Sequence, residues 1–282
     1  LKKRMNEYKR TIGDLHIDHE RLHKSQKRLE QQNSKLKKLD RTKSNFLDIT
    51  THELRSSMSN IKGYAEILLL ESLGPVNDEQ KKGLGVVVAN TNRSTQLLQD
   101  ILDIVHLESG TMKFSPQKTN VKRLVEDAIG TSEPAADVKQ IKISKEIPQE
   151  LPELTIDKER VKQVLINLLH NAIQSSPENS TITVRVNKEP GEVLFEIQDE
   201  GRGIPKQKQK KMFDVIYQAD AGADRTSGDI GLGLSISRGI VISHGGKIWV
   251  ENENNTGNVM RFTLPNKAIQ QMEGKFKVVD LF

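Results

Sequence analysis

The 282-residue chain contains no cysteine. Disulfides, thiolate zinc centres and a cysteine nucleophile are therefore excluded, and a reducing compartment suits the composition. Aromatic residues are scarce, 4% against 29% charged, so part of the chain reads as elongated helix rather than packed core. No apolar run approaches the roughly 18 residues that a membrane-spanning helix needs. There is no signal-peptide pattern, and a chain opening on Leu1 reads as a portion of something longer.

What is present is unevenly placed. Residues 1–45 hold 14 Lys/Arg against 6 Asp/Glu, a balance of +8 that leaves −3 for the rest. A basic arm can touch nucleic acid or an anionic membrane face, but it is equally the solvated exterior of a coiled coil. The second reading has a pattern behind it. Met5, Tyr8, Ile12, Leu15, His19, Leu22, Gln26, Leu29, Asn33 and Leu36 alternate at spacings of three and four. That is a heptad seam, in which Asn33 favours a parallel, in-register dimer.

Leu47, Leu54, Ile61 and Leu68 resume the seam eleven residues on, a stutter that locally unwinds a supercoil. With Leu54 at d, His52, Glu53 and Ser56 take positions b, c and f, all outward, and Ser56 lies one turn beyond His52. Gly74-Pro75 breaks the helix, and Asn77 with Gln80 caps a second one running to Ser109-Gly110. Such an αα-hairpin leaves an apolar stripe open, so two copies are expected to pair as a four-helix bundle.

From about residue 115 helical patterns at 121–132, 157–175 and 232–243 mix with period-2 strands in TITVRV (181–186), VLFEIQ (193–198), KIWVEN and VMRFTLP. The expected fold is an α/β sandwich with a largely antiparallel sheet, behind the coiled coil and hairpin.

Two glycine clusters carry chemistry. DEGRGIP (199–205) follows a strand, and its Asp199 is placed to accept from an exocyclic amine such as that of adenine. Gly201 and Gly203 permit close backbone approach. GDIGLGLSIS (228–237) opens a helix, where Gly231 and Gly233 present backbone N–H groups to phosphates. On the helical pattern ahead of the first expected strand, Asn167 and Asn171 flank the stripe of Val161, Leu165, Leu168 and Ala172. In this order, the carbonyl oxygen of one of these asparagines on Mg²⁺ bridging phosphates is the favoured reading over a surface pair. The segment from Lys206 through Lys211 to Arg225 reads either as a basic lid over a polyphosphate or as a solvated charge run.

Residues 45–266 resemble the transmitter of a sensor histidine kinase. THELRSSM is similar to its phosphoacceptor box, NLLHNA to its N-box, DEGRGI and GLGLSI to its two glycine boxes, and Phe213 stands at its F-box. The resemblance implies domains at 1–44 (coiled-coil signalling linker), 45–110 (dimerisation and phosphotransfer hairpin) and 115–266 (ATP-binding), with a tail of unknown role at 267–282. It implies that His52 is phosphorylated, that Glu53 orients or deprotonates it, and that Ser56 serves removal of phosphate from the partner. Asn167, Asn171, Asp199, Gly201, Gly203, Ile204, Lys211, Gly231, Leu232, Gly233 and Leu234 would frame ATP, with Asn171 on Mg²⁺. The implied partners are a second copy and a response-regulator receiver domain, with no nucleic acid. The implied place is the cytoplasm, within a larger receptor, membrane-anchored or not, whose sensor lies upstream.

The chain departs from the family at Ser57 (usually proline, so a straighter helix is expected), Gln174 (usually lysine), Ile216 and Asp229. Two rival functions follow. One is an ATP hydrolase of the gyrase and heat-shock chaperone type, disfavoured because Asn167 stands where those carry a water-activating glutamate. The other is a catalytically weak coiled-coil scaffold.

Overall fold

The computed structural model describes residues 2–209, 212, 213, 232–252 and 256–266. The chain divides into two units, 1–53 and 54–282, with the boundary inside the first helix. The expectations for Lys211, Ile216, Asp229, Gly231, most of the lid and the tail at 267–282 fall outside the described residues.

Helix α1 spans Lys2–Leu69 without interruption. Ser57 leaves every backbone N–H of this turn available to the helical ladder, where a proline would remove one. Helix α2 runs over Asp78–Glu108 from a complete capping box: Asn77 accepts from the Gln80 N–H, and the Gln80 side chain accepts from the Asn77 N–H. The helix ends at Ser109, and Gly110 takes the left-handed conformation at φ 64°. In the single chain Leu54, Ile61, Leu70, Leu73 and Val86 of the hairpin stay exposed.

The rest forms an α/β sandwich. In chain order it contains β1 (Gln117–Thr119), α3 (Val121–Val138), β2 (Lys142–Glu146), β3 (Leu154–Ile156), α4 (Lys158–Ser175), β4 (Thr181–Glu189) and β5 (Glu192–Arg202). The short α5 (Lys206–Gln209), α6 (Leu232–Ser243), β6 (Ile248–Glu251) and β7 (Thr256–Pro265) complete it. The main sheet has the order β2-β4-β5-β7-β6, with β2–β4 parallel and every other pair antiparallel.

Period-2 alternation decides which side of the sheet meets the helices. Ile182, Val184 and Val186 of β4, Phe195 and Ile197 of β5, and Met260, Phe262 and Leu264 of β7 are buried against α3, α4 and α6. Phe195 and Phe262, directly paired across β5 and β7, stack with centroids 4.5 Å apart. Outward positions form a polar ladder, with Arg185 on Glu146 and Gln198, Asn187 on Glu196, and Arg261 on Glu196 and Glu251.

Helix α3 runs six residues beyond the expected end at 132, through Pro134. Proline costs a helix one N–H bond, but Ala136 beyond it is buried at 1% exposure, and that packing carries the helix on. The strands β1, β2 and β3 were not expected from the sequence. Two of them are three residues long, and β1 and β3 pair only with each other, joining residues as far apart as Gln117 and Ile156.

Candidate active site

His52 and Glu53 lie on α1 with side chains 80% and 79% exposed, as the outward heptad positions require. The His52 Nδ1 and a Glu53 carboxylate oxygen are 3.9 Å apart. Ser56 is exposed as well.

The second group of residues gathers on α4 and α6. Asp157 caps α4 by accepting the Arg160 N–H. The buried stripe of Val161, Leu165, Leu168 and Ala172 fixes the rotation of the helix on the sheet. That rotation leaves Asn167 and Asn171 on the edge of the stripe, half-buried. The two asparagines share a cleft of about 630 Å³ with Gln174, Leu232, Gly233 and Leu234. Asn167 donates from Nδ2 to the Gly233 carbonyl at 3.1 Å and to the Ser237 hydroxyl at 3.4 Å. A Cβ on residue 233 would come 3.3 Å from the Asn167 amide, so glycine lets this tether close. Asn171 points its Nδ2 at the Met260 sulfur, 3.7 Å away.

Asp199 ends the core-facing run of β5, buried at 2% exposure. Burial raises its pKa above the ordinary carboxylate value, against the opposing effect of bonds from the Gly201 N–H and from the side chain and backbone of Asn258. A Cβ on residue 201 would lie 2.5 Å from the Ser175 carbonyl oxygen, so glycine is required there by close approach. Gly203 and Ile204 follow on the same turn, half-buried. The Ile204 N–H donates to Asn258 Oδ1 at 2.8 Å.

Sequence reasoning did not find Asn258 or Gly257. Asn258 also donates to the Arg202 carbonyl, so it ties the whole 199–204 turn to β7. The available signal was the Gly-Asn pair at the head of a strand pattern, a place where a glycine often marks close approach.

Among the described residues, no group of three or more His, Cys, Asp or Glu side chains is placed to hold a metal ion. A hard cation in this cleft would take an amide oxygen such as that of Asn171 and complete its shell from phosphates and water. The Asn171 side chain fits that part.

Comparison with known proteins agrees with this arrangement. Residues 42–110 match the His Kinase A (phospho-acceptor) domain. Residues 156–268 match the histidine kinase-, DNA gyrase B- and HSP90-like ATPase family. An adaptive-response sensory kinase SasA of Prochlorococcus marinus is 30% identical over 282 residues, 96% of this chain and 70% of that protein. Full-length ShkA in complex with AMPPNP shares the fold, with TM-score 0.66 and 24% identity over 78% of this chain and 45% of that one. Histidine kinase ThkA in complex with response regulator protein TrrA gives TM-score 0.53 at 26% identity, over 79% of this chain and 61% of that one. The chain spans between 26% and 38% of the length of the first curated relatives it matches. With both domain models matched in this order and a sensory kinase 30% identical over 70% of its own length, the chain belongs to the sensor histidine kinase family, as a transmitter.

Proposed function

We propose that the chain binds ATP in the α4–α6 cleft, phosphorylates His52 and passes the phosphoryl group to an aspartate of a response-regulator receiver domain. The observation that carries this reading is the convergence of Asn167, Asn171, Leu232, Gly233 and Leu234 on one cleft, in a chain whose His52 side chain is 80% exposed. Phosphoryl transfer asks mainly for positioning and for neutralisation of the developing charge, and the backbone N–H groups at the start of α6 suit that purpose.

Each residue then has a task. Asn171 holds Mg²⁺, which neutralises phosphate charge when bound. Asn167 fixes the start of α6 by its bond to Gly233. Asp199 accepts from the exocyclic amine of adenine, with Gly201, Gly203 and Ile204 shaping the turn around the base. His52 attacks the terminal phosphorus through an unprotonated ring nitrogen, ADP leaves, and Glu53 holds the imidazole. Lys211 and Gly231 are assigned to the nucleotide on the resemblance alone.

The exposed Leu54, Ile61, Leu70, Leu73 and Val86 support a homodimer in which two hairpins bury these side chains. No helix among the described residues is long and apolar enough to cross a membrane. We place the chain in the cytoplasm, as a part of a larger receptor with the sensor upstream.

Incubation with γ-labelled ATP tests the reading. Self-labelling that is acid-labile, base-stable and lost in His52→Gln is expected. Label persisting in His52→Gln removes His52 as acceptor, free phosphate without label favours a hydrolase, and neither product favours a scaffold.

A further inference from the structure

The turn that follows Asp199 has glycine at 201 and at 203, a backbone that stays soft unless other elements hold it. The hold falls on one residue, Ile204. Its N–H donates to Asn258 Oδ1 at 2.8 Å. Its carbonyl accepts from the side-chain amides of Asn252 and Gln209, the latter at 2.9 Å. Its side chain packs against the core of the sandwich, and Pro205 behind it biases Ile204 to extended backbone.

Asn252 and Asn258 reach Ile204 from neighbouring strands. β6 and β7 pair antiparallel as far as Glu251 opposite Val259, and the two asparagines are the next positions on the two strands. The end of β6 is itself fastened, since Glu251 accepts from the Trp249 indole N–H at 2.9 Å and from Arg261 of β7. One asparagine thus takes the N–H and the other the C=O of a single residue.

Both bonds have a direction. Asn258 offers its oxygen, whereas Asn252 offers its nitrogen, and turning the Asn252 amide over would aim one oxygen at another. The Asn252 Oδ1 is buried with no hydrogen-bond partner among the described residues. A buried acceptor left in that state opposes stability, so what the amide contributes here is its bond to Ile204.

We propose that Asn252 is a positioning residue for the nucleotide: with Asn258 it closes a pincer on Ile204 that sets the 199–204 turn before the base arrives. Gln209 is the second donor to the same carbonyl. The inference rests on the reading that this turn frames the base of ATP. A turn held in advance has less ordering left to do on binding, so the nucleotide binds more tightly. Asn252 acts through the backbone of Ile204.

Two substitutions separate donor from shape. Asn252→Ala removes the donor, and Asn252→Asp keeps the shape while setting an oxygen against the Ile204 carbonyl. Amide hydrogen exchange of the 199–204 segment in the nucleotide-free chain reads the pincer directly. It should quicken about five-fold or more in Asn252→Ala and further in Asn252→Asp, with β4 exchanging as in wild type. Calorimetric affinity for Mg·AMPPNP should fall by about five-fold or more, again further in Asn252→Asp. In self-labelling of His52 the loss should fall on KM for ATP rather than on kcat. Unchanged exchange in both variants would overturn the pincer. Quicker exchange at wild-type AMPPNP affinity, or a loss confined to kcat, would overturn the positioning role. A wild-type chain that binds no AMPPNP would overturn the ATP reading and the positioning role with it, while the exchange rates would still decide the pincer.

Discussion

The Asn258 amide nitrogen is shared between the two carboxylate oxygens of Asp199, at 3.2 and 3.3 Å. This fork fixes the carboxylate plane, and the Asn258 Oδ1 simultaneously holds the Ile204 N–H. Asn258→Ala should therefore leave Asp199 buried with fewer donors and loosen the turn. Losing such bonds costs about 1–3 kcal/mol, or roughly 5- to 150-fold in affinity for an ATP analogue. Calorimetric titration measures it, and an affinity equal to wild type would remove Asn258 from the site.

Gly257 stands at φ 78°, and a Cβ there would lie 2.1 Å from the Asp199 carbonyl oxygen. Backbone cannot yield as a flexible side chain can. Gly257→Ala should lower stability by about 2 kcal/mol or more, since left-handed strain and the contact add. Thermal melting checks this, and an unchanged midpoint would contradict the close approach.

His244 is buried at 1% exposure, accepts the Asp157 N–H through Nε2 and bonds the Ile240 carbonyl through Nδ1. Burial lowers its pKa below the ordinary 6.5, although the bond to Ile240 and the charge of Asp157 pull the other way. The unfolded chain therefore binds a proton that the folded chain refuses. Stability should be lost as pH falls below 6.5 toward the lowered value, with no contribution from this group at higher pH. Melting of wild type and His244→Gln at pH 7.5 and 5.5 tests the sign. The wild type should lose more on acidification, and parallel losses would refute the assignment.

Much of this architecture was legible because it is written in short-range signals. The stripe of Val161, Leu165, Leu168 and Ala172, the Asn77–Gln80 box and the alternation through Ile182, Val184 and Val186 each need only a window of a few residues. The resemblance to known phosphoacceptor and glycine boxes ordered the site. What escaped depends on distant partners. Lys142–Glu146 becomes a strand because β4 offers it a parallel edge, and α3 outlasts Pro134 because Ala136 finds a core. Asn258 escaped because its role exists only where β7 passes the end of β5, 59 positions from Asp199. Asn252 likewise reaches Ile204 across 48 positions.

We propose that Ser56, exposed one turn past His52 in the heptad, serves removal of phosphate from the partner. Its hydroxyl can hold a water in line with an aspartyl phosphate. Ser56→Ala should keep self-labelling and slow dephosphorylation of the regulator by about 5- to 150-fold, the loss of one contact of roughly 1–3 kcal/mol. Decay of phosphorylated regulator with ADP and each kinase variant measures it. Equal decay would leave Ser56 as a solvated serine.

The apolar side chains left open along the hairpin tie its folding to mass action. Leu70 and Leu73 stay 77% and 67% exposed in the single chain, whereas Phe195 and Phe262 are covered by their own. Dilution therefore erodes one half of the molecule and spares the other, since a partner that binds only the folded form stabilises it in proportion to the logarithm of its concentration. In the dimer proposed above, abundance in the cell becomes a structural variable, and the hairpin is expected to lose order on dilution before the sandwich does.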